Sequence, residues 1–177
     1  SAAVYQDYHV LALDQRGRGD SDWSKDGDYT TDAYVADLAG FCDDLNLDSF
    51  VLVGHSMGGS NAMAFAEAYP EIIQKLVGVD MGPTLNPAGG KRISEEMKTV
   101  PEEFDSFEAV VNYMATSNKF ASERVLRRRL QYSTKELPGG KFGWRYDLFI
   151  REQRRQGTVP PSSDLWPVVV NIEAPTL

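Results

Sequence analysis

The run Gly54-His55-Ser56-Met57-Gly58 has the residue types for nucleophilic attack on a carbonyl carbon. It lies between the apolar run Ser49-Phe50-Val51-Leu52-Val53 and a stretch from Ser60 to Tyr69 with alanines at 62, 64, 66 and 68. A strand that turns into a helix over so few residues forces the central serine into a strained backbone conformation. Glycines two positions to either side, Gly54 and Gly58, remove side chains that would clash in that turn. The Ser56 hydroxyl is then exposed above the sheet edge. The Met57 N–H falls at a helix start, where free amides and the helix dipole favour negative charge, and it supplies half of an oxyanion hole. An ordinary glycine-rich strand-to-helix turn explains the letters but not the elements that flank them.

Three buried strands are expected, Tyr8 to Asp14, Ser49 to Val53 and Leu76 to Val79, because short continuous apolar runs bounded by turn residues suit a sheet covered on both faces. Helices are expected between them. Thr31 or Asp32 caps a helix with Tyr34, Val35, Leu38, Phe41, Cys42 and Leu45 at helical spacing, and Pro70 stops the helix that starts near Ser60. Strand, helix, strand, helix, strand predicts an α/β fold with a mostly parallel sheet and helices on both faces. From Pro83 to about Trp166 the pattern becomes helical, with amphipathic stretches from Ser106 to Met114 and Ser122 to Leu130, a turn at Leu137-Pro138-Gly139-Gly140 and an extended aromatic run from Phe142 to Tyr146. A short helix follows from Asp164 to Asn171, and Ile172-Glu173-Ala174-Pro175-Thr176-Leu177 reads as the opening of a further strand.

Charge divides at the same place. Residues 1–81 carry 4 basic and 14 acidic side chains, and residues 82–177 carry 14 and 12. Three segments are therefore expected: a core over 1–81, an inserted helical cap over 82–166 and a return to the core sheet over 167–177. The net charge of −8 argues against an electrostatic grip on nucleic acid or an anionic membrane. No run approaches the ~18 apolar residues of a membrane span. Cys42, a single cysteine within a helical stretch, points to a reducing, cytoplasmic compartment.

The motifs together resemble the α/β-hydrolase superfamily, specifically its cap-bearing serine hydrolases. The matching residues are Asp14-Gln15-Arg16-Gly17-Arg18-Gly19-Asp20-Ser21-Asp22, Gly54-His55-Ser56-Met57-Gly58-Gly59, Val77-Gly78-Val79-Asp80 and the closing Ile172 to Leu177. The resemblance implies hydrolysis of an ester or similar acyl bond through an acyl-serine at Ser56, with a small-molecule acyl substrate and no metal or organic cofactor. It implies a catalytic acid either at Asp80 or beyond Leu177; alternatively Asp80 only bonds backbone amides. Lactonase, C–C bond hydrolase, perhydrolase and non-catalytic binding module remain open on this scaffold.

A serine hydroxyl needs a base near neutral pH. The two histidines, His9 and His55, are not placed for that role, since His55 is expected to project away from the nucleophile's reacting face. The family's base lies C-terminal to the cap. These residues are accordingly expected to be a segment lacking both ends, inactive and marginally stable alone.

Other features carry less. Asp22 stands where a Gly17-x-Gly19 dinucleotide motif needs its third glycine. Asp14 and Arg16 are expected to pair and hold their loop. Arg124, Arg127, Arg128 and Arg129 read as a solvated face or a patch for an anionic substrate or partner. Trp144, Tyr146, Trp166, Tyr113 and Met114 suit either an acyl pocket or the cap's own core. Two histidines and one cysteine, far apart, make a zinc site improbable.

Overall fold

The computed structural model describes residues 4–84, 87–118, 120–158 and 164–177. Helix α1 spans Thr31–Asp44 and starts at Thr30, whose hydroxyl accepts the Ala33 amide at 3.3 Å. The cap falls one residue before the expected Thr31. The Asp28 carboxylate sets it there by accepting both the amide and the hydroxyl of Thr30, at 3.0 and 2.7 Å.

Strand β1 (Phe50–His55), helix α2 (Met57–Ala68) and strand β2 (Ile73–Val79) form a parallel βαβ unit. The register pairs Val51 with Lys75 and His55 with Val79, so the carboxyl ends of both strands finish side by side. Pro70 ends α2 as expected and opens a single 3-10 turn, Pro70–Ile72. On the far edge of β2 the closing segment pairs in parallel. The Leu76 amide donates to Pro175 O at 3.0 Å, Leu177 N to Leu76 O at 3.0 Å and Gly78 N to Leu177 O at 2.7 Å. Of the strand opening expected over Ile172–Leu177, residues 175–177 pair with β2 in this way.

The core of this unit holds Cys42, Ala62, Met63, Phe65, Ala66, Ile73 and Leu76, with Val168, Val169 and Ile172 packed on it. Small residues on α2 let the helix lie close to the strands, and Phe65 fills the centre, stacked on Tyr69 with ring centroids 4.7 Å apart. Burial, aided by the nearby Asp43 charge, pushes the Cys42 thiol pKa up, which keeps it a packing residue rather than a nucleophile.

The expected strand at Tyr8–Asp14 is absent. Among the described residues no backbone hydrogen bond from another segment reaches residues 9–14, and Tyr8, Val10, Leu11 and Leu13 are exposed. A strand exists by pairing, and among the described residues no strand lies alongside this run.

The expected helices over 106–114 and 122–130 are α4 (Phe107–Ser117) and α5 (Glu123–Ser133). Two helices were not foreseen, α3 (Pro87–Thr99) and α6 (Phe149–Gln156). Nor was the antiparallel sheet built from β3 (Glu103–Phe104), β4 (Thr134–Glu136) and β5 (Phe142–Trp144) in the order β3-β5-β4. Gly139 and Gly140, both with positive φ, turn the chain between β4 and β5. A second core gathers Phe104, Val110, Val111, Leu126, Leu130 and Trp144. The Trp144 indole N–H donates to Pro101 O at 2.7 Å. A short helix α7 (Trp166–Val169) leads back to the sheet. Among the described residues no helix is long and apolar enough to cross a membrane.

Candidate active site

Ser56 links the end of β1 to the start of α2 with φ 51° and ψ −120°. A non-glycine residue in that region is strained and persists only where its surroundings fix it. Three backbone hydrogen bonds do so: Ser56 N donates to Val79 O at 3.0 Å, and Ser56 O accepts from Gly59 N at 2.8 Å and Ser60 N at 3.2 Å. The serine caps α2 with its backbone, and its side chain makes no capping bond. The hydroxyl is left exposed at the carboxyl edge of the sheet. As the first residue of α2, Met57 has an amide without an intrahelical acceptor, beside that hydroxyl.

The steric demand of the turn falls on Gly54 and Gly59. A Cβ on Gly54 would stand 2.4 Å from Gly58 O and 2.6 Å from Gly59 Cα; one on Gly59 would stand 2.5 Å from Met81 Cγ. Gly58 has open space where its Cβ would go, so the clash-relieving role expected there belongs to Gly59. The sequence signal for it was the glycine pair itself, and the residue it makes room for, Met81, is distant in sequence.

Asp80 follows β2 and, like Ser56, has a positive φ, of 50°. The register that pairs His55 with Val79 brings Ser56 and Asp80 to adjacent positions just past the strand ends. His55 Nε2 lies 3.9 Å from Asp80 Oδ2, with side chains 69% and 90% exposed. That is contact range for a protonated imidazole but too long for a hydrogen bond. The His55 ring therefore sits beside the carboxylate, and His9 is an exposed residue of the 4–14 segment.

The loop over residues 14–22 is held from two sides. Arg16 forks onto Asp37 of α1, with Nε to Oδ2 at 2.5 Å and Nη2 to Oδ1 at 2.6 Å, and this hydrogen bonding raises its pKa further. Asp14 instead accepts the Asp20 amide at 2.9 Å. The two residues expected to pair hold the loop separately, Arg16 through α1 and Asp14 through the Asp20 amide. On the other side Gly19 N donates to Arg145 O and Asp147 N to Gly17 O, both at 2.8 Å. Arg18, unassigned in the sequence beyond its loop, reaches the elbow, with Nη2 3.6 Å from Met57 Sδ.

Trp144, Tyr113, Met114 and Tyr146 pack in or against the second core, while Trp166 is 54% exposed. Of the α5 arginines, Arg127 binds Glu108 and Glu123, and Arg124, Arg128 and Arg129 face solvent. Among the described residues no group of three or more His, Cys, Asp or Glu side chains converges as a metal ion would require.

Comparison with known proteins bears on the fold. Residues 2–128 match the family model of the α/β hydrolase fold. The chain is 30% identical over 171 residues to esterase Rv0045c of Mycobacterium tuberculosis, a match spanning 94% of this chain and 55% of that protein. It is 36% identical over 143 residues to the sn-1-specific diacylglycerol lipase ABHD11 of Mus musculus, over 78% of this chain and 46% of that one. The chain thus spans about half the length of these relatives. Among solved structures, E-2-(acetamidomethylene)succinate hydrolase superposes with a TM-score of 0.79 at 25% identity, covering 92% of this chain and 59% of that one. The Rv0045c esterase superposes at 0.74 and 29% identity, covering 92% and 55%. With the strained serine between β1 and α2 and a family match over most of its length, the chain belongs to the α/β-hydrolase fold family.

Proposed function

We propose that the protein is a serine hydrolase that cleaves an ester or related acyl bond of a small molecule through an acyl-serine at Ser56. The observation that carries the reading is the backbone of Ser56, held at positive φ with its hydroxyl exposed beside the unpaired first amide of α2. A helix of this strand-to-helix kind does not need such strain, whereas presenting a nucleophile does. Relatives named as an esterase and two lipases, from two organisms, support the same reaction class.

In this reading Ser56 Oγ bonds to the acyl carbon while its proton passes to an imidazole base, which the family supplies C-terminal to the cap. The Met57 N–H stabilises the oxyanion. The leaving alkoxide departs with that proton, and water then hydrolyses the acyl-serine by the reverse sequence. Asp80, adjacent to Ser56 at the sheet edge, would orient the imidazole and balance its charge. Residues 82–166 would roof the site as a cap.

Fluorophosphonate labelling of the longest native form, with the adduct mapped by peptide mass, tests the proposal. Labelling is expected on Ser56 and absent in Ser56→Ala, whose ester turnover is expected to fall by about 10³-fold or more. A folded protein that stays unlabelled at Ser56 would instead favour a non-catalytic binding module.

A further inference from the structure

The outer face of α5 gathers positive charge in a chain whose net charge is −8. From Phe120 to Lys135 the basic residues are Arg124, Arg127, Arg128, Arg129 and Lys135, and Glu123 is the one acid. Arg127 takes up Glu123 and Glu108, while among the described residues Arg124, Arg128 and Arg129 make no ion pair. Leu126 and Leu130 turn inward to the second core, so helical spacing sets these three arginines outward. Arg124 and Arg128 stand one turn apart, where like charges repel. With Val125, Tyr132 and Ser133 the three arginines line an open groove along the helix.

Apolar groups stand among these charges. Phe120, just before α5, is fully exposed, and Val125 and Tyr132 are exposed within it. Past the helix end the Lys135 ammonium lies 5.3 Å from the centre of the Trp23 ring, which is also exposed. The acids at this end are accounted for. Asp20 is taken up by Arg145, whose guanidinium also donates to Tyr132 O at 3.5 Å. Glu136 follows Lys135 along β4 and so leaves the opposite face of that strand.

Arginines interleaved with exposed rings suit an anionic layer that has an apolar interior. Guanidinium groups pair with phosphate oxygens, and aromatic rings settle at the headgroup level. Lipid headgroups conform to a convex helix, whereas a protein partner would have to bring a matching groove lined with carboxylates. The net charge argues against such a grip for the chain as a whole, but the excess acid lies in residues 1–81, with 14 acidic and 4 basic side chains. Salt confines each charge's reach to about 8 Å, so the patch nearest the layer decides.

We propose that the outer face of α5, with Phe120 before it and Lys135 after it, docks on a lipid surface that carries anionic phosphate headgroups. Docking of this kind does not depend on Ser56 being the nucleophile.

The test is co-sedimentation of the longest native form with vesicles of phosphatidylcholine alone and of phosphatidylcholine mixed equally with phosphatidylglycerol, at physiological ionic strength. Binding to the mixed vesicles is expected to be about tenfold tighter or more. Arg124→Gln with Arg128→Gln is expected to weaken it about 30-fold, and adding Arg129→Gln to carry the loss past about 100-fold, at roughly fivefold for each cation near an anionic surface. Lys91→Gln with Arg92→Gln makes the same change in net charge on exposed residues of α3 and is expected to stay within about twofold of wild type. Phe120→Ser is expected to weaken binding about fivefold or more, the loss of a ring at the headgroup boundary. Circular dichroism identifies a variant that fails to fold, in which case Arg129→Gln alone, at about fivefold, decides. Equal binding to the two kinds of vesicle, or a loss as large from the α3 pair as from the α5 pair, would overturn the docking face. Binding that the arginine variants abolish and Phe120→Ser leaves unchanged would overturn the lipid surface as its occupant and favour a nucleic acid or an acidic protein.

Discussion

In the β1–α2–β2 unit, order comes from backbone lying against backbone. Gly54 and Gly59 leave no space for a side chain, Ser56 and Asp80 both take positive φ, and alanines on α2 bring it close to the sheet. In the region from Glu102 to Gln156, order comes from rings and charges instead. Phe104 meets Trp144 edge-on with centroids 5.8 Å apart, Tyr146 stacks on Trp144 at 5.9 Å, and Arg151 is wholly buried on backbone carbonyls of Met97 and Val100. Backbone-to-backbone contact fixes position to a fraction of an ångström and tolerates little change. Ring packing tolerates substitution if volume is kept. The first region can therefore hold a strained residue, and the second can vary its surface without losing its core. That division suits a nucleophile on one side and a specificity-setting roof on the other.

The comparison breaks most readily at Phe65, which is 0% exposed and is the one large ring at the centre of the first core. Phe65→Ala is expected to cost about 3–5 kcal/mol in urea unfolding, because the Phe50 and Tyr69 rings packed on it leave a cavity when it is removed. A loss below about 1 kcal/mol would mean that the first core is loosely packed. At the elbow, Gly54→Ala is expected to cost about 1–3 kcal/mol, since its Cβ meets backbone rather than a movable side chain. Gly58→Ala, in open space within α2, is expected to be neutral or to stabilise by up to about 1 kcal/mol. Equal effects at the two glycines would remove the claim that backbone approach governs this unit.

Helix caps sharpen the contrast at a smaller scale. Ser106 accepts the Ala109 amide at 3.1 Å and starts α4, and Thr30 starts α1. Ser106→Ala is expected to cost about 1 kcal/mol. Thr30→Ala is expected to cost more, because it also removes the hydroxyl's hydrogen bond to Asp28 and leaves that carboxylate with the Thr30 amide. Thermal unfolding of the two variants in one buffer gives the order.

What was legible in the sequence follows the same division. The β1–α2–β2 unit was readable because its signals are local: a continuous apolar strand, a glycine corner and an alanine-rich helix, all within thirty residues. Tyr8–Asp14 carries the same apolar signal but no strand forms, since pairing depends on what lies alongside rather than on the run itself. The antiparallel sheet was missed because β3 has two residues and β4 and β5 have three each, too few for period-2 alternation to show. Helix α6 was missed because Arg151 is buried while its neighbours are charged, which hides the apolar face. Of the candidate site, the positions of Ser56 and Met57 at the strand-to-helix turn and of Asp80 after the next strand were legible in the motifs, whereas the reach of Arg18 to Met57 depends on how its loop folds back against Arg145.

The smallest effect lies at the seam between the two regions and is confined to alkali. Tyr29, in the loop before α1, donates its hydroxyl to Asp147 Oδ2 at 2.5 Å, between β5 and α6. Burial first, and then this bond to a carboxylate, pushes the Tyr29 pKa up to about 12 from an ordinary 10. The folded chain keeps the phenol proton where the unfolded chain has lost it. This contribution is therefore complete below pH 10, declines as pH rises from 10 to about 12 and is gone above that. Burial raises Tyr34 and Tyr146 as well, so stability is expected to fall in alkali even without Tyr29, but less steeply. Urea unfolding of wild type and Tyr29→Phe at intervals from pH 9 to pH 11.5 reads the difference. A shallower decline in the variant would establish that the loop before α1 and the chain after β5 are joined through this phenol. Parallel declines would place the seam instead on the backbone bonds at Gly17 and Gly19, which carry no titrating group.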